Sequence, residues 1–241
     1  MIKEALQYLV GLRENKTYDI NGDTYSDNRL ELVPKKIWRR SCMEFGSLDA
    51  IVKMIHAELR DYKDTVGLPL YIQVGSYNSI EVVTRCDEQE QRMTPYSARC
   101  RDAEFKEGWR DQQSAIIELR SRFLPTPDSE YLLNLISRIN NEQGVQSTDN
   151  GVSQTVTAKS GVSLMTTETV KPRLTLCPFR TFREVVQPES EFILRLDDKG
   201  RIGLFEADGG IWKMEAKSNI AEYLETNLQA DIEAGRVIVM I

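Results

Sequence analysis

The chain has 241 residues, 41% hydrophobic and 28% charged, enough for one large domain or two small ones with a genuine core. Its 37 acids against 31 lysines and arginines leave a net charge of −6, which excludes whole-surface attraction to nucleic acid but not a local basic patch. No apolar run is long enough to cross a bilayer, so no membrane partner is expected.

Met1-Ile2-Lys3-Glu4 places an acid where a secretion signal carries basic residues, and a cytoplasmic protein is expected. Ile2, Ala5, Leu6, Leu9 and Leu12 then recur at helical spacing, which predicts an amphipathic arm helix over 1–13. Its apolar stripe needs cover, from the body of the chain or from a neighbouring subunit; Ile2, Leu6 and Leu9 are the candidate oligomer contacts. Residues 14–30 read as a polar linker with a turn at Asn21-Gly22-Asp23.

The run Lys35-Lys36-Ile37-Trp38-Arg39-Arg40 joins four positive charges to one aromatic ring. Lys35, Lys36, Arg39 and Arg40 can grip phosphates while Trp38 stacks a base; equally, the charges can be solvated and the ring packed inward. Ser47 can cap the next helix, whose stripe is Leu48, Ile51, Val52, Ile55 and Leu59. Leu70–Val74 and Ile80–Cys86 read as strands about Gly75–Ser79, and Tyr96–Arg101 as a short strand of the same sheet. Helices are predicted over Gln112–Phe123 and, capped by Asp128, over Ser129–Asn140.

The polar stretch 141–151 is the best boundary between an α/β region over 31–145 and a β-rich region over 152–241; the two can equally form one domain. Beyond it, Glu191–Leu196, Arg201–Glu206 and Ile211–Ala216 alternate with period 2 around Asp197–Gly200 and Asp208–Gly210, which predicts an antiparallel meander. One helix comes next, with Asn219 and Glu222 at capping-box spacing, and Arg236–Ile241 ends the chain as a strand. The expected class is α+β, with helices concentrated in the N-terminal half and a largely antiparallel β-sheet in the C-terminal half.

Chemical motifs are missing. There is no nucleophile elbow, no phosphate-binding glycine loop and one histidine, His56, so no catalytic residue is assigned. Cys42, Cys86, Cys100 and Cys177 contain no C-x-x-C pair, and Asp197, Asp198, Glu206 and Asp208 belong to different turns; no metal and no cofactor are expected.

Several landmarks in one order nevertheless resemble the YfdQ-like family of phage and prophage proteins, over about residues 40 to 225. They include Phe45–Asp49, Ala98-Arg99-Cys100 with Phe105 and Trp109, Gly151–Val156, Leu176–Phe182 and Gln187–Ser190. The series closes on Phe205-Glu206-Ala207-Asp208-Gly209-Gly210 and Trp212. Cys177 departs from the small residue usual there, and the early hairpin differs in length. Pro178, Phe179, Arg180, Phe182, Phe205, Glu206, Asp208, Gly209, Gly210 and Trp212 then read as structural residues of the motif: glycines at turns, aromatics packing a sheet, and prolines limiting edge pairing. The resemblance implies a bacteriophage or prophage source, hence the host bacterial cytoplasm, and carries over no catalytic residue. The expected function is a non-enzymatic, self-assembling homo-oligomer. The alternative is a binding module, serving DNA replication or recombination or sequestering a nucleotide against host defence; an enzyme with a carboxylate-only site ranks last.

Overall fold

The computed structural model describes residues 2–11, 16–26, 42–61, 69–86, 91–101, 105–140, 145–149, 154–160, 164–197 and 199–241. The chain divides into two compact units, Met1–Ser41 and Cys42–Ile241. In the first, α1 (Ile2–Gly11) precedes an antiparallel hairpin of β1 (Thr17–Ile20) and β2 (Asp23–Ser26), which lies inside the stretch expected to be linker. Asn21 and Gly22 turn it with φ of 54° and 88°, the paired positive values that a two-residue hairpin turn needs. On α1, Ile2 is 81% exposed; Leu6 and Leu9 lie on the same helix, and Leu12 lies outside the described residues. The basic candidates Lys35, Lys36, Trp38, Arg39 and Arg40 also lie outside them.

The second unit runs β3 (Met43–Phe45), α2 (Leu48–Asp61), β4 (Leu70–Ser76), β5 (Ser79–Val83), β6 (Tyr96–Arg99), β7 (Gly108–Arg110), α3 (Gln112–Arg122), β8 (Phe123–Leu124) and α4 (Pro127–Asn140). It continues with β9 (Val145–Asp149), β10 (Gln154–Ser160), β11 (Leu164–Val170), β12 (Arg173–Pro178), β13 (Ser190–Leu196) and β14 (Ile202–Glu206). It ends with α5 (Trp212–Asn227), α6 (Gln229–Glu233) and β15 (Val237–Met240).

Two five-stranded sheets organise these elements. The first has the order β15-β4-β5-β6-β3, the second β7-β14-β13-β12-β8, and β11-β10-β9 form a separate three-stranded meander. Helices α2 and α5 cover one face of the first sheet, burying Leu48, Ile51 and Ile55 with Ile220 and Leu224 against Leu70, Ile72, Ile80 and Val82. Helices α3 and α4 cover the second, where Leu119, Leu132 and Ile136 meet Leu174, Leu176, Phe192 and Leu194. In β4 the alternation of the residue pattern becomes an alternation of burial: Leu70, Ile72 and Val74 point inward and Gln73 outward.

The expected fold class is corrected by this architecture. The protein is mixed α/β with helices spread along the chain, since α5 and α6 lie beyond residue 210, and the strands fall mainly in the C-terminal half. The terminal strand β15 does not extend a C-terminal sheet; it pairs in parallel with β4, far away in sequence, and β3 pairs in parallel with β6. A strand's own pattern reports its buried face but not its partner.

A second correction concerns Ile211–Ala216, expected as the third strand of the meander. The hairpin of β13 and β14 forms, but Trp212 starts helix α5 instead. Six residues fit either period, whereas the longer series Trp212, Ala216, Ile220, Leu224 is a helical stripe buried throughout. Met214, which would share a strand face with Trp212, is 72% exposed. The cap of α4 also differs. Thr126 and Ser129 exchange hydrogen bonds as a capping pair with Pro127 at the first helical position, while Asp128 accepts from the Thr175 N–H at 2.8 Å.

Candidate functional site

Between β12 and β13 the chain crosses from one core to the other in an irregular stretch, 179–189, with no ladder to satisfy its backbone. The buried Gln187 amide does that work. Its oxygen accepts from the Arg180 and Thr181 N–H groups at 3.0 and 3.2 Å, and its nitrogen donates to the Phe182 and Val185 carbonyls at 2.8 and 3.1 Å. The loop is tied outward as well. Thr181 Oγ1 donates to the Tyr77 carbonyl, Glu184 accepts from the Leu48 N–H at the start of α2, and Asn219 of α5 donates to the Val186 carbonyl. Phe182 and Val185 join the core of the first sheet.

The inner side of this loop carries Arg180, which is completely buried. Its guanidinium donates to Glu206 Oε1 at 2.7 Å and to Ser190 Oγ at 2.7 Å, with a longer bond to the Pro188 carbonyl at 3.4 Å. It lies over the Trp212 ring at 3.9 Å from the centroid. Trp212 in turn donates its indole N–H to the other oxygen of Glu206 at 3.2 Å, and Tyr77 meets its ring edge-on at 4.8 Å. Burial pulls the Arg180 pKa below the ordinary arginine value, opposed by the adjacent Glu206, then Asp208 and the Cys177 sulfur. A guanidinium keeps its proton under that load. Arg180 Nε is the buried side-chain polar atom without a partner among the described residues.

The remaining motif residues build the frame of this cluster. Asp208 accepts from the Gly210 and Trp212 N–H groups, satisfying donors that the first turn of α5 leaves free, and Gly209 and Gly210 supply φ of 65° and 83° for the turn. Phe205 packs edge-on against Trp109 at 5.9 Å across Gly203, where a Cβ would come within 2.8 Å of the Phe205 ring. Trp109 is 45% exposed on this outer face. Pro178 ends β12 opposite Phe123.

The outer side of the same loop is different. Phe179 and Arg183 turn toward an open cavity of about 540 Å³, walled also by Arg101, Phe105, Lys106 and Arg122. Arg183 stands over the Phe179 ring at 5.7 Å. Arg101 is paired with Glu44 at 2.5 Å, whereas Lys106, Arg122 and Arg183 have no carboxylate partner among the described residues. Among the described residues no acid lines this cavity. The carbonyl at the end of α3, on Arg122, is taken by the Phe179 N–H at 2.8 Å, which quenches an acceptor that would repel an anion.

Nucleophilic chemistry finds no footing nearby. The Cys177 thiol is buried, donates to the Gln187 carbonyl at 3.3 Å, and has its pKa pushed up by burial and then by Glu189, so it stays protonated. His56 stands 3.4 Å from Asp231, which also binds Arg236. Among the described residues no three histidines, cysteines or acids gather as metal ligands, and no helix is long and apolar enough to cross a membrane.

The basic cavity draws on Arg101, Lys106, Arg122 and Arg183, which are scattered over more than eighty positions and form no run; the visible run at 35–40 was the only basic signal in the sequence. Gln187, Ser190 and Tyr77 were likewise missed as partners of Arg180, because each is an ordinary loop or turn residue until the sheets meet. No protein family model, curated protein or solved structure matches this chain.

Proposed function

We propose that this is a non-enzymatic binding protein of a bacteriophage or prophage, working in the host bacterial cytoplasm, that takes a phosphate-bearing ligand, nucleic acid or nucleotide, between α3 and the 179–189 loop. One observation carries the reading: among the described residues, Lys106, Arg122 and Arg183 converge without a carboxylate partner on one cavity that no acid lines, in a protein of net charge −6. Exposed cations gathered without counter-charge raise the local positive potential and so attract an anion. The loop bearing Phe179 and Arg183 is held from several sides, so little ordering remains to be done on binding. Isothermal titration with ATP, inorganic triphosphate and a short oligonucleotide tests the reading; the expected result is binding that weakens with salt, and silence with all three rejects it.

Self-assembly is the second reading, favoured by the edge of the first sheet. Val237-Ile238-Val239-Met240-Ile241 contains no charge and no proline, and β15 pairs on one side only, with β4. Natural edge strands are usually protected by lysine, proline or a bulge. Ile238 and Met240 are partly exposed there, and Ile2 stands exposed on α1. Sedimentation velocity should find a closed homo-oligomer, loosened by Ile238→Lys or by deleting residues 1–13; a monomer at micromolar concentration rejects it.

A further inference from the structure

We infer that the occupant of the basic cavity is a single strand of nucleic acid running across adjoining cavities, and not a mononucleotide; this rests on the phosphate-binding reading above. The central cavity does not stand alone. A neighbour of about 610 Å³ shares Arg101 and Arg183 with it and adds Arg99. On the other side a cavity of about 480 Å³ shares Lys106 and Arg122 and adds Arg110. The three cavities thus adjoin one another through shared basic residues, Arg101 and Arg183 on one side and Lys106 and Arg122 on the other.

Its charge pattern favours a repeating anion. Among the described residues, acids line only the outer cavities, and each is engaged: Glu44 by Arg101, Glu184 by the Leu48 N–H, and Glu118 by Arg110. Lys106, Arg122 and Arg183 have no carboxylate partner among the described residues, while Arg99 shares the Glu44 carboxylate electrostatically with Arg101. A mononucleotide site is normally one enclosed pocket whose few polar groups converge on a single ligand. Here the cations are spread over three adjoining cavities instead of converging in one.

The aromatic rings point the same way. Arg183 is held over Phe179 at 5.7 Å and Arg110 over Phe105 at 5.1 Å. A cation over a ring is positioned without spending N–H donors, so Arg183 keeps its whole fork for phosphate, and a guanidinium plane can also stack a base. The central cavity is a concave site lined from α3 and the 179–189 loop, whereas a duplex is read by a helix or ribbon entering its major groove. A flexible single strand can enter such a site.

The test is fluorescence anisotropy of the full chain with a labelled oligothymidine of about 12 nucleotides, a length within the usual single-strand site sizes. ATP, inorganic triphosphate and a duplex of equal length serve as competitors. The oligothymidine should bind with a logarithmic salt slope steeper than about −2, corresponding to three or more neutralised phosphates. Arg122→Glu and Arg183→Glu change exposed side chains, and each should weaken binding at least about tenfold and flatten the slope by roughly 0.7. An unchanged thermal melt shows that both variants remain folded. If ATP or triphosphate binds as tightly as the strand, or the duplex binds more tightly, the strand inference fails while the phosphate reading stands. Strand binding that ignores both substitutions also overturns it. If no phosphate ligand binds, both readings fall.

Discussion

Arg180 and Arg183 stand three residues apart in one loop and meet opposite fates. Arg180 turns inward between the two sheets, gives hydrogen bonds to Glu206 and Ser190, and stacks on Trp212. Arg183 turns outward over Phe179 into a cavity that no acid among the described residues lines. The difference shows that charge alone does not set a role. A buried guanidinium must find its counter-charge within the fold, because desolvation removes the option of water. An exposed one can be left unpaired at little cost and kept for a ligand. In this loop the first residue supplies the rigidity that holds the second in place.

The most direct challenge to the contrast is the same substitution at both positions. Arg180→Ala should destabilise the protein by about 3–5 kcal/mol, since it strands Glu206 and opens a cavity under Trp212. Arg183→Ala should stay within about 0.5 kcal/mol while weakening phosphate binding. Equal losses in urea denaturation would mean that the two arginines are not distinguished as inner and outer.

Trp212→Ala should also cost about 3–5 kcal/mol, the range for emptying a buried aromatic site. The indole both covers Arg180 and donates to Glu206, so Trp212→Phe, which keeps most of the ring, should recover part of that loss. A loss below about 1 kcal/mol for the alanine variant would place the ring outside the core.

Gln187→Leu keeps the volume but leaves buried backbone groups of the loop unpaired, and about 1–3 kcal/mol of destabilisation is expected. The same variant should loosen the phosphate site, because Arg183 and Phe179 ride on the loop that Gln187 organises. Unchanged stability together with unchanged binding would detach the inner scaffold from the outer site.

A smaller effect lies away from the loop, where no ligand is involved. The Tyr223 hydroxyl donates to Asp49 at 3.0 Å, tying α5 to α2; burial, and then that carboxylate, push its pKa up to about 12. The folded state thus holds the phenolic proton that the unfolded chain releases near its ordinary value of about 10. This contribution is fully present below about pH 10 and is lost as pH rises toward 12. Ultraviolet titration should find a late-ionising tyrosine that is lost in Tyr223→Phe; an unchanged titration curve in that variant would contradict the bond.

Much of the local structure was legible in the sequence because it is carried by short-range periodicity. The stripe Leu48, Ile51, Val52, Ile55 makes α2 with Ser47 as its cap, and the hairpins β4–β5 and β13–β14 form where alternation meets a turn. Asp208-Gly209-Gly210 was legible as a turn too, and a helix was legible from Asn219 onward, but its true start at Trp212 was not. A six-residue window cannot separate a strand from the first turns of a helix that shows its stripe only by Leu224.

The linear chain thus dictates which residues seek burial and where the backbone must turn. These are properties of neighbours in the chain: spacing, capping and positive φ. The pairing of β15 with β4 arises only in the assembled fold, as does the burial of Arg180 against Glu206 and Trp212. The gathering of Lys106, Arg122 and Arg183 on one wall belongs with them. Each depends on residues tens of positions apart, and sheet order and long-range ion pairing leave no periodic mark in the segments that take part.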